Sequence, residues 1–334
     1  NTVFGFSAFN VGSDSGSHRN TVIGDLAMGT GTVASALDNV AIGASALTSL
    51  TGGVSNVVIG SLAGDAITVG DRSVSIGTES MASQVSDSTN EDALNVGVGH
   101  ATAYFNVTGT HNTYLGGFAG KGSASQSNSN NTGVGYQSLF SITTGGSNTV
   151  IGAYAGDAMT SQSNCVLIGL NAGTSINHND ANGTTIVGRD AGEKLTSGIA
   201  NTVLGYSSLG GNHTGDYNTY LGYESARGVT DNAHSNNTSV GYKSLFAVTT
   251  GSNNTVVGSN ALLSITTGGQ CTAVGHQALD ANQTGNYITA IGNNALTSCT
   301  ASENTGVGWD AGGSIVGGAN NCMIGGNSGD TLTT

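Results

Sequence analysis

Catalysis or metal binding needs nucleophiles, acids, bases or ligands at short, regular spacing, and this chain of 334 residues supplies few of them. Its histidines (His18, His100, His111, His178, His213, His234 and His276) form no H-x-H or H-x-x-x-H pair. Cys165, Cys271, Cys299 and Cys322 follow no metal-ligand spacing either. The segment GGNSGD (325–330) has the composition of a calcium-binding repeat, but it occurs once and its spacing is wrong. There is no G-x-S-x-G, no phosphate-binding loop and no carboxylate pair set among His or Arg. Neither an enzyme nor a cofactor or metal site is expected. What remains is contact chemistry. Tyr206, Tyr223 and Tyr242 each follow a repeated glycine, with Tyr136 and Trp309 at the same column. Such a row either stacks on sugar rings or packs on itself or on a neighbouring chain. The segment SDSTNED (86–92) gathers Asp87, Glu91 and Asp92 in the longest gap between repeats. It reads as a loop that meets a ligand or cation, or as a solvated insertion.

Composition limits which elements can hold these residues. The chain has 55 Gly, no Pro, 8% charged and 5% aromatic residues, whereas an average domain is about 25% charged. An ordinary globular enzyme, a disordered chain and a collagen are all poor fits. With a net charge of −13, the seven Lys and Arg are scattered, which excludes nucleic acid as a partner. No apolar run approaches the roughly 18 residues of a membrane span. The sequence starts at Asn1 without Met or a leader, as expected of a processed chain or a segment of a longer protein. Scarce Lys with abundant Asn, Thr, Ser and Gly suits an extracellular setting.

The organising feature is a pentapeptide, N-T-x-[IVL]-G, seen as NTVIG at 20–24 and 148–152, NTVLG at 201–205 and NTVVG at 254–258. Nineteen variants cover residues 1–334 as one repetitive domain, and their closing glycines run from Gly5, Gly24 and Gly43 to Gly325, mostly 17 or 19 residues apart. A stack of short rungs explains this period, since one rung cannot bury its apolar side alone. The absence of Pro follows, because a ladder uses every N–H. The fold expected is all-β: a parallel β-solenoid or β-roll of about 19 rungs of 17–19 residues. At about 4.8 Å per rung it would extend roughly 90 Å.

Each column has an expected role. The glycines, among them Gly152, Gly205 and Gly258, are corners that need unusual backbone angles. The residue before each glycine is always apolar, as at Ile151, Leu204 and Val257. Thr occupies the position two earlier in thirteen copies, as at Thr149, Thr202 and Thr255. These two columns share one strand face, and the uniform apolar column marks that face as the core. On this reading Thr202→Ser and Thr219→Ser cost stability, and ice or mineral binding through Thr has no exposed surface to use. Small Ala or Ser three residues after the glycine implies close approach between rungs. A second inward column follows at Leu50, Ile67, Ile142, Met159, Leu195, Val248, Ile265 and Ile315. Asn opens fourteen copies and is expected to bond the rungs above and below. Cys165 and Cys271 take that Asn position six rungs apart, too far for a disulfide, so buried free thiols are expected. The sequons at Asn106, Asn212 and Asn282 are ordinary for so Asn- and Thr-rich a chain.

NTxIG followed by xx[AS]L and a T-G turn at 17-residue spacing resembles the repeats of phage and prophage tail-fibre proteins. More distantly it is similar to the NSVAIG-type head repeats of trimeric autotransporter adhesins. The rung departs from the 14–15 residues of those heads, and its Asn stands one position nearer the glycine. The resemblance covers essentially the whole chain. It implies an extracellular or virion-borne homotrimer of left-handed β-rolls that binds a cell-surface glycan or receptor. The function expected is thus a structural fibre that displays an adhesive surface. The alternative is a single-chain solenoid polymerising end to end into a filament.

Overall fold

Three residues of strand, one glycine corner and a run of turns make up each rung in the computed structural model, which describes residues 1–9, 16–30, 32–85, 92–123, 126–229 and 233–333. The coil is organised as two compact units, Asn1–Cys165 and Val166–Thr334. The first holds nine strands, from Thr2–Phe4 to Thr149–Ile151; the second holds ten, from Val166–Ile168 to Cys322–Ile324. Within each unit, successive strands pair parallel and in register, as Thr2 with Thr21 and Thr202 with Thr219. Among the described residues the only helical element is a 3-10 turn at Asn179–Ala181. The parallel β-solenoid read from the repeat is the fold of each unit.

The Asn column ties rung to rung. Asn218 donates through its backbone N and its Nδ2 to the Oδ1 of Asn201 (3.0 Å each), and its own Oδ1 accepts from the backbone N of Asn237. Its Nδ2 also donates to the carbonyl of His234, which closes the turn of its own rung. The same pattern runs through Asn20, Asn39 and Asn56 and through Asn112, Asn131 and Asn148. All of these side chains are buried. Where Cys165 and Cys271 replace Asn, the backbone N still donates to the preceding Asn, and both side chains are buried and outside any disulfide. Burial pushes the Cys271 thiol up to about 11.

The corner glycine has a steric reason. Gly205 has φ +142, and a Cβ there would lie 2.1 Å from the carbonyl oxygen of Gly222 on the next rung. The turn that follows tolerates left-handed backbone even at residues with side chains: Ser207, Leu209 and Tyr217 have φ of 47, 54 and 56. Each such residue costs about 1–2 kcal/mol. Inter-rung bonds offset this, with Leu209 N donating to Ser225 O and Tyr217 N to Ile199 O.

One expectation is corrected here. The buried strand residue is the middle one, two before the glycine, as at Val150, Val203 and Val256. The columns flanking it face outward: Ile151, Leu204 and Val257 are about 40% exposed, and Thr202 and Thr255 are exposed with Thr149 partly so. The physical reason is parity. The ladder Asn must point inward to reach its partners, so residues an even number of positions away along the strand share its face. The second column from Leu50 to Ile315 is buried as expected, and the small column three after the glycine is buried throughout most of both units.

The core is fitted locally rather than uniformly. Tyr114 takes volume that Gly120 and Gly133 leave open; a Cβ at either would meet its ring at 2.4 and 2.8 Å. Gly306 similarly makes room for Leu296. In the second unit Tyr220 brings a polar group inside: its hydroxyl donates to Asn218 Oδ1 (2.8 Å) and lies 2.8 Å from Nδ1 of buried His234. Burial lowers the His234 pKa to about 4 and leaves its Nε2 without a hydrogen-bond partner.

Two outcomes follow from this interior. Asn218→Ala strands Asn237 N and takes one of two partners from Tyr220 Oη and from the carbonyl of His234, and should lower the unfolding free energy by about 2 kcal/mol in urea titrations. His234 is neutral when folded but takes up a proton near pH 6.5 when unfolded, so its contribution is intact above that pH. It is lost as pH falls towards 4, by about 3 kcal/mol. The pH-dependent loss between 7 and 4 should be smaller by this amount in His234→Gln, measured by the same titrations.

Candidate interaction surface

The outward strand face is the most regular surface. In the second unit, the eight strands from Thr185–Val187 to Thr305–Val307 each present one Thr and one Val, Leu or Ile, in register from rung to rung. The first unit presents Thr at its two ends and Val40, Val57, Val74 and Val96 between them. Leu204 and Leu221 are 45% and 40% exposed. An aliphatic ladder of this kind exceeds the scattered apolar residues usual on a monomer surface.

In each unit the turn after the corner forms a second surface, and it carries most of the aromatic and cationic side chains. Tyr206, Tyr223 and Tyr242 meet there as the sequence suggested. Their rings stack at 5.1 and 5.4 Å, within 13° and 16° of parallel. Arg189 lies over Tyr206 and Lys243 over Tyr242. The faces a sugar would use are therefore covered, and the ladder packs on itself, exposing edges and hydroxyls. Beside it, Gly210 and Gly211 leave a notch of about 530 Å³, walled by Asp190, Glu193, Lys194, Arg227 and Phe246. The charges around it are paired: Arg189 with Asp190, Lys194 with Glu193, and both Arg227 and Lys243 with Glu224.

The first unit uses the same edge differently. His100, Phe118, Tyr136 and Tyr154 stand on four successive rungs, each perpendicular to the next at 4.9, 6.0 and 5.5 Å. Lys121 sits among Phe105, Phe118 and Phe140, its Nζ 5.3–6.0 Å from the three ring centroids. The repeat shows each of these residues, but they lie up to 54 positions apart. Knowing which columns share an edge is what would have grouped them.

Asp87 and Glu91 lie outside the described residues; Asp92 pairs with Arg72 on the rung before. The sequon residues Asn106, Asn212 and Asn282 are buried, and each clasps its own turn through a main-chain group three residues on, which leaves no room for a glycan. Asp330 of GGNSGD accepts from Ser314. Among the described residues no group of three or more His, Cys, Asp or Glu is placed to hold a metal, and no helix is long and apolar enough to cross a membrane. Cys322 stands exposed in the Thr column.

Because Thr202 and Thr219 face outward, the stability cost expected from the sequence reverses. Thr202→Ser and Thr219→Ser should each leave the unfolding free energy within about 0.5 kcal/mol of the parent in urea titrations.

Comparison with protein-family models, with curated proteins and with solved structures finds no match to this chain.

Proposed function

We propose that the chain is the shaft or head of an extracellular or virion-borne fibre, assembled from copies of itself as a homotrimer, with the decorated turn edge left free to meet a receptor. The observation that carries this reading is the outward aliphatic ladder. Within each unit, Val, Leu or Ile at one column of every rung but the chain's first, which has Phe4, with Thr or Val beside it on all but the chain's last, forms an uncharged surface that water solvates poorly. A flat face repeated in register is self-complementary: a second copy of the chain offers the same spacing and the same chemistry along its length. Charge distribution supports the division of labour. Ion pairs stand on the turn edge or elsewhere, and among the described residues the outward strand columns carry no charge and a single aromatic, Phe4, as suits the core of an interface. The likeness of the repeat to tail-fibre proteins points the same way.

The exposed Thr column also favours a second reading, in which the face orders water at an ice surface. Both readings meet one experiment. Light scattering on the native chain should give close to three times 32.9 kDa, and Leu204→Asp with Leu221→Asp should give a folded monomer. A parent of 32.9 kDa that shows no assembly removes the trimer, and thermal hysteresis from that monomer would assign the face to ice. A far larger, polydisperse mass would mean filaments.

A further inference from the structure

Every cation but one has a carboxylate partner. Arg19 pairs with Asp38, Arg72 with Asp92, and Arg189, Lys194, Arg227 and Lys243 with the acids described above. Lys121 is the exception: among the described residues its ammonium has no carboxylate within 4.0 Å. In a chain with twenty acids and seven bases this is the uncommon arrangement. The three Phe rings around Nζ hold the charge by cation–π attraction. They accept no hydrogen bond of ordinary strength, so the ammonium keeps its donors for another acceptor.

The rings next to it are arranged unlike the tyrosine ladder. Tyr136 and Tyr154 meet at 80°, so the two rings pack edge to face rather than lying parallel on each other. Tyr136 is 45% and Tyr154 39% exposed, and Tyr154 has a single aromatic neighbour. Gly117 and Ala153 flank Tyr136 in its own column, and its ring neighbours on the adjacent rungs, Phe118 and Tyr154, stand perpendicular to it at 6.0 and 5.5 Å rather than stacked on it. The four rungs together span about 14 Å at the usual strand spacing, the length of a short oligosaccharide. Flat aromatic faces, phenol hydroxyls and one unpaired cation form a complementary surface for a ring with axial C–H bonds, hydroxyls and a carboxylate.

We infer that the Lys121–Tyr136–Tyr154 edge of the first unit binds a carboxylated saccharide, with the carboxylate on the Lys121 ammonium and pyranose faces on the exposed tyrosines. This rests on the fibre reading only in supplying what the fibre touches. An acidic protein segment would satisfy Lys121 equally well, but it would leave the ring faces unused.

Isothermal titration of the native chain with a galacturonate tetrasaccharide and with its methyl ester tests the assignment. The acid should bind at least tenfold more tightly than the ester. Lys121→Gln and Tyr154→Ala should each weaken the acid about tenfold, Lys121→Arg should retain most of the affinity, and Tyr223→Ala in the stacked ladder should change it less than twofold. Circular dichroism confirms that each variant is folded. Failure of the parent to bind the acid at millimolar concentration, equal binding of acid and ester, or a Tyr223→Ala loss matching that of Tyr154→Ala overturns the proposal. Binding of a glutamate oligopeptide as tightly as the uronate replaces the saccharide by a protein partner and overturns it too. Light scattering on the same samples separates the two readings: a trimer that ignores the saccharide retains the fibre and loses the site, whereas a monomer that binds it does the reverse.

Discussion

A side-chain amide taken out of water must find partners for two donors and an acceptor, and in this protein the partners are the next copy of the same amide and the backbone beside it. Asn201, Asn218 and Asn237 show the arrangement: each Oδ1 accepts from the Asn backbone of the following rung, and each Nδ2 closes its own turn. Slipping one rung by a single residue would leave these groups buried and unpaired, at a cost of about 1–3 kcal/mol each. Register, rung spacing and the inward direction of alternate strand residues all depend on that requirement. The corner glycine is a consequence of the same stacking, because rungs brought this close leave no space for a Cβ between Gly205 and Gly222.

Once the Asn points inward, the middle strand residue must do so as well, and the two flanking columns must face out. The interior is then a sequence of local fits. Tyr114 fills what Gly120 and Gly133 vacate, and Val, Ala, Ser and Gly alternate at the same position on other rungs. The outward columns have no neighbour of varying size to fit and can be uniform. A uniform aliphatic column can therefore mark a surface that repeats one interaction, while the inward position between the Asn and the corner varies from rung to rung. This is the opposite of what a uniform Ile, Leu and Val column suggests when read as sequence.

Side chains able to make specific contacts collect where the stacking requirement is weakest, on the turn after the corner. Backbone there is left-handed at alternate residues; Leu209, Leu245 and Leu262 turn inward, while Tyr206, Tyr223 and Tyr242 on the same turns reach solvent, so bulky rings are accommodated without disturbing the ladder. The two units use this freedom in different ways. In the second, Tyr206, Tyr223 and Tyr242 stack and each of the four cations has a carboxylate partner, so the edge is largely satisfied by itself. In the first, perpendicular rings and an ammonium held only by Phe faces leave chemistry unspent.

By itself, the sequence determined the rung, its period, the glycine corner, the Asn ladder, the inward column from Leu50 to Ile315 and the parallel solenoid. These are local, repeated requirements of backbone geometry and hydrogen bonding, and repetition makes the glycine corner visible nineteen times and the Asn ladder fourteen. It also brought Tyr206, Tyr223 and Tyr242 onto one column, though not the way their rings meet. Only the tertiary structure decided which strand face is inside, because a period of two allows either face until the direction of the Asn side chain is known. It alone decided that Phe105, Phe118, Phe140 and Lys121, spread over three rungs, converge on one point. That convergence depends on columns five and six residues past the corner meeting a column two residues past it, and the path of the turn sets this geometry.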